Sequence, residues 1–485
     1  MKHRISAALL LLALTAQLAA CGGSAPRQSD TSAADTPAET TAAPTVYDIL
    51  PDKDFGGRAF NVLTSEGWSV DMLDQIDVES QTGDVVLDSV WARNQAVEDA
   101  FNVVIKPRTV VYKELAGAIR REVQAGETGT DLIAHAPTML APLAAEKLFL
   151  DVKSLPHTDM TQPWYVPSVN DELEIAGSQY LFLTDLGFVF PSAVNVMLYN
   201  LTMADSLGIE DLQDLSLSGK WTLDKFEKCM TDTASDIDGD NAMTNKDRYG
   251  IALLWNEMVD TLPYSLGQKI TEKDKAGRPQ LVLGSERMDT IVRRLNTIFN
   301  ESDSTYLSST AAGDTWKTQQ EMFRDGQTLF CIMNISSITK RLREMKDDYA
   351  TIPMPKYDEA QDKYYTGVSL GSSTVFAVPT TTPDREFTSV ILEALSAEGA
   401  DRVVTAYIDT AIKVKFANDA RAHEIYDLIL DGSIIDFGAI YDSDGTYLLF
   451  RKLMQAKSTD FMSQFDAVKT ATAAKFEEIW KQYME

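Results

Sequence analysis

The chain has 485 residues and is strongly acidic, because 72 Asp and Glu residues against 44 Lys and Arg residues give a net charge of −28. A polyanion repels nucleic acid and anionic lipid headgroups, so neither is expected as a partner. The length exceeds what one hydrophobic core usually supports, so two domains are expected.

The first 20 residues have the pattern of an export signal. Lys2, His3 and Arg4 give a positive start, a short leucine-rich run follows, and the segment closes on Leu-Ala-Ala-Cys at 18–21. The run is too short for a stop-transfer helix. The ending resembles the lipobox of bacterial lipoproteins, which implies that Cys21 becomes the lipidated, palmitate-bearing first residue. An ordinary secretory signal that ends in cysteine is the alternative.

Residues 21–45 predict a flexible tether. Their Ser, Thr, Ala, Pro and Asp side chains bury too little apolar surface to offset chain entropy. A coil of this length reaches on the order of 25 Å. No later apolar run is long enough to cross a membrane, so contact with the membrane is expected through the lipid anchor only.

Strand and helix patterns alternate from residue 58 onward. Strands are predicted at 58–63, 102–105 and 131–134, and helices at 85–101 and 112–125, the second closed by Gly126. This β-α-β-α-β order predicts a parallel sheet covered by helices on both faces. Ligands of such sheets bind beyond the carboxyl ends of the strands.

The rest of the chain repeats this mixture of elements. Strands are predicted at 180–183, 193–199, 249–254, 327–333 and 374–378. Helices are predicted at 222–230, 285–299, 337–345 and 461–483, with Thr222 as an N-cap.

Six stretches carry a family resemblance through their order. They are Thr-Asp-Leu-Ile at 130–133, Ser-Ala-Val-Asn-Val-Met-Leu-Tyr-Asn at 192–200, Trp-Thr-Leu-Asp-Lys-Phe at 221–226, Phe-Arg-Asp-Gly-Gln-Thr-Leu-Phe at 323–330, Pro-Met-Pro-Lys-Tyr at 353–357 and Thr-Val-Phe-Ala-Val-Pro at 374–379. Together they resemble the extracellular solute-binding proteins of bacterial ABC importers, family 1, the group that includes the maltose-binding protein.

The resemblance implies an α/β fold of the periplasmic-binding-protein type, with a ligand cleft between two lobes. The first lobe is placed at 46–195 plus 332–395, and the second at 196–331 plus 396–485. It also implies a monomer on the outer face of the bacterial cytoplasmic membrane. Hinge closure around a small solute, a carbohydrate or oligosaccharide, would present that solute to ABC permease subunits.

Candidate ligand residues follow the predicted strand ends or lie on the crossing between lobes. Sugar sites combine aromatic faces with carboxylate and amide oxygens. The candidates are Glu66, Trp68, His135, Thr138, Asp185, Asn195, Trp255, Asn256 and Asn334. Each has a structural alternative, such as core packing for the tryptophans or a buried, hydrogen-bonded imidazole for His135. Trp221, at a helix start, is assigned to the core.

An acidic loop at 236–247 has calcium-binding spacing. Side-chain oxygens are available at positions 1, 3, 5, 9 and 12 of the loop, which are Asp236, Asp238, Asp240, Thr244 and Asp247. The backbone carbonyl of Ala242 is available at position 7. The loop departs from the EF-hand pattern through Asn241 at position 6 and Asp rather than Glu at position 12. A structural Ca²⁺ site is predicted, and a solvated acidic turn is the alternative.

No catalytic cofactor is expected, and the chain is predicted not to be an enzyme. The four scattered histidines argue against a transition-metal site. Two other classes stay open: a secreted glycan-active enzyme, since paired carboxylates could come from many acids, and a surface adhesion or scaffold lipoprotein. Cys229 and Cys331 are read as separate thiols, with a disulfide as the alternative.

Overall fold

The structure is a computed structural model that describes residues 45–67, 72–231, 233–309, 312–413 and 420–484. The predicted signal segment, Cys21, the tether up to residue 44 and Trp68 lie outside the described residues. The chain divides into two units, residues 1–49 and 50–485. In the first, helix α1 (Val46–Ile49) is preceded by Thr45, whose backbone N–H donates to the Asp48 carboxylate at 2.6 Å.

The second unit contains strands of three to nine residues and a pair of two-residue strands. The strands are β1 (Arg58–Glu66), β2 (Val103–Val111), β3 (Leu132–His135), β4 (Asn195–Asn200), β5 (Tyr249–Leu253), β6 (Thr271–Lys273), β7 (Pro279–Leu281), β8 (Thr305–Leu307), β9 (Thr328–Asn334), β10 (Tyr349–Ile352), β11 (Thr366–Gly367), β12 (Val375–Ala377) and β13 (Ser433–Ile434).

Helices connect and cover these strands. They are α2 (Val85–Phe101), α3 (Tyr112–Ala125), α4 (Pro137–Ala145), α5 (Pro167–Leu173), α6 (Val189–Ala193), α7 (Leu201–Ser206), α8 (Leu212–Leu217), α9 (Leu223–Met230), α10 (Glu257–Asp260), α11 (Leu262–Ser265), α12 (Glu286–Asn296), α13 (Thr318–Arg324), α14 (Ile335–Arg341), α15 (Arg385–Glu398), α16 (Thr405–Lys413), α17 (Ala420–Asp431), α18 (Phe437–Tyr441), α19 (Leu449–Gln455) and α20 (Phe461–Met484). Within the described ranges, no helix combines the length and apolar character needed to cross a bilayer.

The first sheet has the strand order β12-β3-β1-β2. β1 is parallel to both β2 and β3, so α2 and α3 serve as the crossovers that parallel pairing requires. The predicted parallel sheet is therefore confirmed. β12 joins antiparallel, with Val375 opposite His135.

The predicted bounds of α2 and α3 are confirmed, because local signals set them. The Asp84 carboxylate accepts the backbone N–H groups of Val86 (2.9 Å) and Leu87 (3.1 Å) at the start of α2. At the end of α3, Gly126 takes a left-handed φ of 70° at the predicted C-cap. Thr222 occupies the N-cap position of α9, but its hydroxyl makes no capping hydrogen bond.

The second sheet has the order β10-β4-β9-β5-β8. β4 runs antiparallel to β9 and β10, whereas β5 is parallel to β8 and β9. The sequence did not indicate β10. Because β10 lies in this sheet and β12 in the first, residues 332–395 supply strands to both sheets, and the lobe boundaries stay a prediction.

The predicted strand at 180–183 is wrong. Phe182 makes an isolated β-bridge, with two backbone hydrogen bonds, to Phe376 of β12. Side-chain amides satisfy the backbone on either side, because Gln179 donates to the Leu181 carbonyl and Asn170 to the Leu183 carbonyl, both at 2.7 Å. These side chains replace the ladder that a regular strand would need.

Buried apolar side chains from both sheets form one continuous cluster. Trp221 is fully buried in it, with its ring centroid 5.9 Å from that of Phe330 and its indole N–H donating to the Pro353 carbonyl at 3.0 Å. Its assignment to the core is confirmed. Cys229 and Cys331 are both free thiols, so the reading as separate thiols is also confirmed.

A buried carboxylate joins α15 to the loop before α5. Glu393 is 1% exposed and accepts hydrogen bonds from the Trp164 indole at 2.7 Å, the Tyr165 hydroxyl and the Asp159 backbone N–H at 3.2 Å. Burial raises the pKa of Glu393 to about 7, and these hydrogen bonds offset only part of that effect.

The Glu393→Gln variant is expected to lose a pH dependence of stability between about pH 4.5 and pH 7. The folded-state pKa lies above the ordinary value of 4.5, so the folded chain keeps a proton that the unfolded chain has released in this window. The stabilising contribution is complete below pH 4.5 and is lost as pH rises to about 7.

Urea unfolding of both chains across this window measures the effect. At ~1.4 kcal/mol per pKa unit, the free energy of unfolding of the wild type should fall relative to the variant by a few kcal/mol. If the difference in free energy of unfolding between wild type and variant stays constant with pH, the expectation is contradicted.

Candidate ligand-binding cleft

One edge of the first sheet collects three strand ends. β1 ends at Glu66 and β3 at His135, and because these strands are parallel their carboxyl ends lie on the same side. β12 is antiparallel, so its start at Val375 lies there as well. Polar residues 372–374 precede it, which makes this edge polar.

One edge of the second sheet is built in the same way. β9 ends at Asn334, and β4 begins at Asn195 directly opposite it. β5, which is parallel to β9, ends nearby and is followed by Trp255 and Asn256. Amide side chains from separate segments are thus placed at the same end of the sheet.

A cleft of about 900 Å³ is lined by elements attached to both sheets. Asp84, Val86 and Leu87, at the start of α2, and Ser372, before β12, come from the first. Gln320 and much of α14 come from the second. The volume is within the range of small-molecule sites, about 300–1,000 Å³.

Aromatic and hydroxyl groups also line this cleft. The rings of Phe188 and Tyr407 are stacked, with centroids 5.6 Å apart and planes inclined by 9°. Ser192, Ser336 and Thr410 add hydroxyl groups. Apolar ring faces beside hydroxyl and amide groups are the combination that sugar rings require.

Basic side chains dominate the wall formed by α14 and the residues after it. Lys340, Arg341 and Arg343 line the cleft there. A fourth cation, Arg324 of α13, forms two hydrogen bonds to its neighbour Asp325, at 2.8 and 3.0 Å. This hydrogen bonding to Asp325 raises the pKa of Arg324.

Trp316 stands beside this wall and is 56% exposed. The Arg341 guanidinium lies 4.8 Å from the centroid of its ring, and the Lys317 ammonium lies 5.2 Å from it. The sequence analysis missed Trp316, Phe188 and the three cations. The only sequence signal for the cations was their position directly after the return strand β9.

Of the ligand candidates that the structure describes, Asn334 lines the cleft. Its side-chain oxygen also caps α14, accepting the Ser337 backbone N–H at 3.1 Å. Glu66 is exposed at the end of β1, Thr138 is half-buried on α4, and Asp185 is half-buried. The last three are not among the residues that line the cleft.

His135 is fully buried, and its Nε2 lies 2.8 Å from the Ser65 hydroxyl. Burial lowers the pKa of His135 to about 4, so the imidazole is neutral at physiological pH. This environment matches the structural alternative given for His135.

The other candidates are engaged in structural contacts. Asn195 is fully buried and donates to the Thr261 hydroxyl at 3.2 Å. Trp255 is half-buried and packs edge-on against Phe299, with ring centroids 6.1 Å apart. Asn256 caps α10 by accepting the Met258 backbone N–H at 3.1 Å.

The acidic loop brings three carboxylates together. One oxygen from each of Asp236, Asp238 and Asp240 lies within 4.8 Å of the others. Asp247 instead ties the loop ends, accepting the backbone N–H groups of Ile237 (3.0 Å) and Thr244 (2.7 Å). Three convergent carboxylates suit a hard cation such as Ca²⁺, and calcium binding stays a prediction.

Residues 367–371, Gly-Val-Ser-Leu-Gly, match the Gly-x-Ser-x-Gly pattern of hydrolase nucleophile turns. In those enzymes the serine is exposed on a turn between a strand and a helix. Here Ser369 is 1% exposed and lies between β11 and β12, with no helix following it in this described segment. The pattern therefore lacks the structural context of a nucleophile.

Comparisons with known proteins agree with this architecture. Residues 91–407 match the family model described as bacterial extracellular solute-binding protein. No curated protein matches the chain.

Three similar solved structures are UspC of M. tuberculosis, the ABC substrate-binding protein Lmo0181 from Listeria monocytogenes in complex with cycloalternan, and the cyclic alpha-maltosyl-1,6-maltose binding protein from Arthrobacter globiformis. UspC is 13% identical with a TM-score of 0.56, over 86% of this chain and 100% of its own. The Listeria protein is 13% identical with a TM-score of 0.53, over 88% and 99%. The Arthrobacter protein is 12% identical with a TM-score of 0.58, over 87% and 100%.

At these identities the solved structures establish the fold, and they confirm the predicted two-lobe, periplasmic-binding-protein-like α/β architecture. The family match extends over more than half of the sequence. The chain therefore belongs to the bacterial extracellular solute-binding proteins.

Proposed function

We propose that the protein binds a carbohydrate in the cleft and delivers it to the permease of an ABC importer. The observation that carries this proposal is the cleft of about 900 Å³ between elements of the two sheets, lined by the stacked Phe188 ring and by hydroxyl and amide groups. A solute held there touches parts of the chain attached to both sheets, so its binding favours the closed arrangement by its differential affinity.

Two of the similar structures support the carbohydrate class by their descriptions. The Listeria protein is in complex with cycloalternan, and the Arthrobacter protein is described as binding cyclic alpha-maltosyl-1,6-maltose. The family is extracellular, which fits a location outside the cytoplasmic membrane. We infer that Cys21 carries the lipid that holds the protein there.

Binding without turnover is part of the same proposal. The Listeria and Arthrobacter structures are described as binding proteins, and Ser369, which lies in a nucleophile-like pattern, is buried. Incubation with a bound oligosaccharide followed by mass spectrometry should recover the sugar intact. Release of shorter products would favour the glycan-active enzyme instead.

The Phe188→Leu variant is expected to bind its oligosaccharide about tenfold more weakly, a loss of ~1.4 kcal/mol. Leucine keeps an apolar side chain but removes the flat face on which a sugar ring can stack. Isothermal titration calorimetry against the oligosaccharide that binds the wild type most tightly measures the change.

The matched control is Phe465→Leu. The Phe465 ring also stacks on a second aromatic ring, that of Phe461, with centroids 5.8 Å apart, but it does not line the cleft. Equal affinities of wild type and Phe188→Leu, or an equal loss in both variants, would contradict the proposed site. Failure of every oligosaccharide to bind, with binding of another solute class, would overturn the carbohydrate assignment.

Calcium is expected to raise the thermal unfolding midpoint by at least ~2 °C, because a cation that binds only the folded loop stabilises it by mass action. The Asp238→Ala variant should lose the shift. Asp274→Ala is the matched control, since Asp274 is also an exposed turn aspartate that accepts backbone N–H groups, from Ala276 (2.9 Å) and Arg278 (3.0 Å). A shift that persists in Asp238→Ala would count against the loop.

The Cys21→Ser variant is expected to lose incorporation of a palmitate analogue and to move from the membrane fraction to the medium. The Cys229→Ser variant changes a thiol elsewhere in the chain and should stay labelled and membrane-bound. Membrane retention of Cys21→Ser at the wild-type level would show that the anchor lies elsewhere.

A further inference from the structure

We propose that the solute is an acidic oligosaccharide, one that carries carboxylate or sulfate groups, and that Lys340, Arg341 and Arg343 recognise those groups. This proposal rests on the proposed function and specifies its ligand. It assigns the α14 wall of the cleft as an anion-recognition subsite.

The charge of this wall runs against that of the whole chain. The protein carries a net charge of −28, yet three cations within four residues face one cleft. Among the described residues, none of the three pairs with a carboxylate, in contrast to cations such as Arg451, which pairs with Asp260, or Arg294, which pairs with Asp224. Their charge is therefore available to a ligand.

The acidic residues that also line the cleft are largely engaged with other groups. The Asp84 carboxylate accepts the first N–H groups of α2. The charges of Glu321 and Glu344 help to raise the pKa of Arg324. The Arg324 guanidinium is already paired with Asp325. Asp74 precedes α2 and lies with Asp84 on the part of the cleft attached to the first sheet.

The arrangement of Trp316 and Arg341 suits a sugar ring with an acidic substituent. The indole is 56% exposed beside the cleft, and the Arg341 guanidinium lies over its ring, 4.8 Å from the centroid. A sugar bound in the cleft would present a carboxylate or sulfate substituent to this planar cation, which can donate two parallel hydrogen bonds. A neutral sugar would leave these cations without a partner.

A purely structural role is the alternative for two of the cations, and it predicts a different effect of their substitution. Lys340 and Arg341 lie in the last turn of α14, where positive charge favours the carboxyl end of a helix by about 0.3–1 kcal/mol. Arg343 lies beyond the helix end, so its position in the cleft has no such explanation. A helix-end role would alter stability but not discriminate between charged and neutral ligands.

The test uses the full chain and matched pairs of oligosaccharides. Oligogalacturonate and alginate trimers are each paired with their neutral methyl esters, and a sulfated chondroitin disaccharide is paired with its unsulfated form, which keeps the uronate carboxylate. Calorimetry is expected to find an acidic member as the best ligand, at least tenfold tighter than its esterified or unsulfated partner. The esterified and unsulfated arms distinguish carboxylate from sulfate recognition.

Two single variants, Lys340→Gln and Arg343→Gln, are each expected to weaken binding of the acidic ligand about tenfold. Their affinity for a neutral ligand should be unchanged. Lys275→Gln is the matched control, because Lys275 is an exposed cation in the turn between β6 and β7, outside the cleft. Thermal unfolding of each variant checks that the fold is retained, as expected for exposed side chains.

The outcomes separate this proposal from the proposed function. A neutral oligosaccharide as the best ligand, equal affinity within each matched pair, or losses no larger than in Lys275→Gln would overturn the acidic-ligand proposal while leaving carbohydrate binding intact. Binding of no oligosaccharide of either kind would overturn both.

Discussion

The antiparallel pairing of β4 with β9 is the constraint on which the cleft depends. Asn195 lies opposite Asn334 and Tyr199 opposite Phe330, so the start of one strand meets the end of the other. The segment that leads into β4 therefore reaches the same place as the segment that leaves β9. The first supplies Phe188 and Ser192, and the second supplies the cations of α14. Residues about 150 positions apart in sequence come to line one cleft through one strand register. A slip of one residue would turn every side chain of β4 to the other face.

A buried arginine holds in place two segments that carry residues to the cleft. Arg93 of α2 is fully buried, and its guanidinium donates to the backbone carbonyls of Gln75, Ile76 and Leu186. Burial lowers the pKa of Arg93 to about 9, although Asp77 offsets part of the effect. The segments that it holds are those that carry Asp74 and Phe188 to the cleft. Irregular chain can lie inside a protein only when its polar backbone groups are satisfied, and here one side chain satisfies three of them. These segments are thereby fixed by contacts within the chain.

Local sequence signals explain which elements could be predicted. α2 and α3 combine an apolar face with end signals such as Asp84 and Gly126, so their bounds were predictable. The segment 180–183 has the composition of a strand, but amides from Gln179 and Asn170 take its backbone groups, and no periodicity reveals such side-chain partners. For the site, the rule of strand carboxyl ends led to Asn334. The same rule led to His135, whose side chain is buried beside Ser65, because a strand end fixes where the backbone is and not which way the side chain points. Phe188 and Trp316 lie in irregular segments without any repeating pattern, so only the folded chain brings Phe188 to the cleft and Trp316 beside it.

The contrast between the acidic chain and its cationic cleft wall has a consequence for how selectivity would arise. At physiological ionic strength charges are screened beyond about 8 Å. The net charge of −28 therefore acts only weakly on a ligand that approaches the cleft. Inside a closing cleft, water is excluded and the effective dielectric falls, so a nearby charge pair strengthens several-fold. An acidic sugar would therefore gain most of its interaction with Lys340, Arg341 and Arg343 in the closed state. The same closure around a neutral sugar would desolvate these cations without a partner, which costs free energy and favours reopening. Discrimination would then be exerted through the closing equilibrium itself, so that a permease that reads the closed form would receive the acidic ligand preferentially.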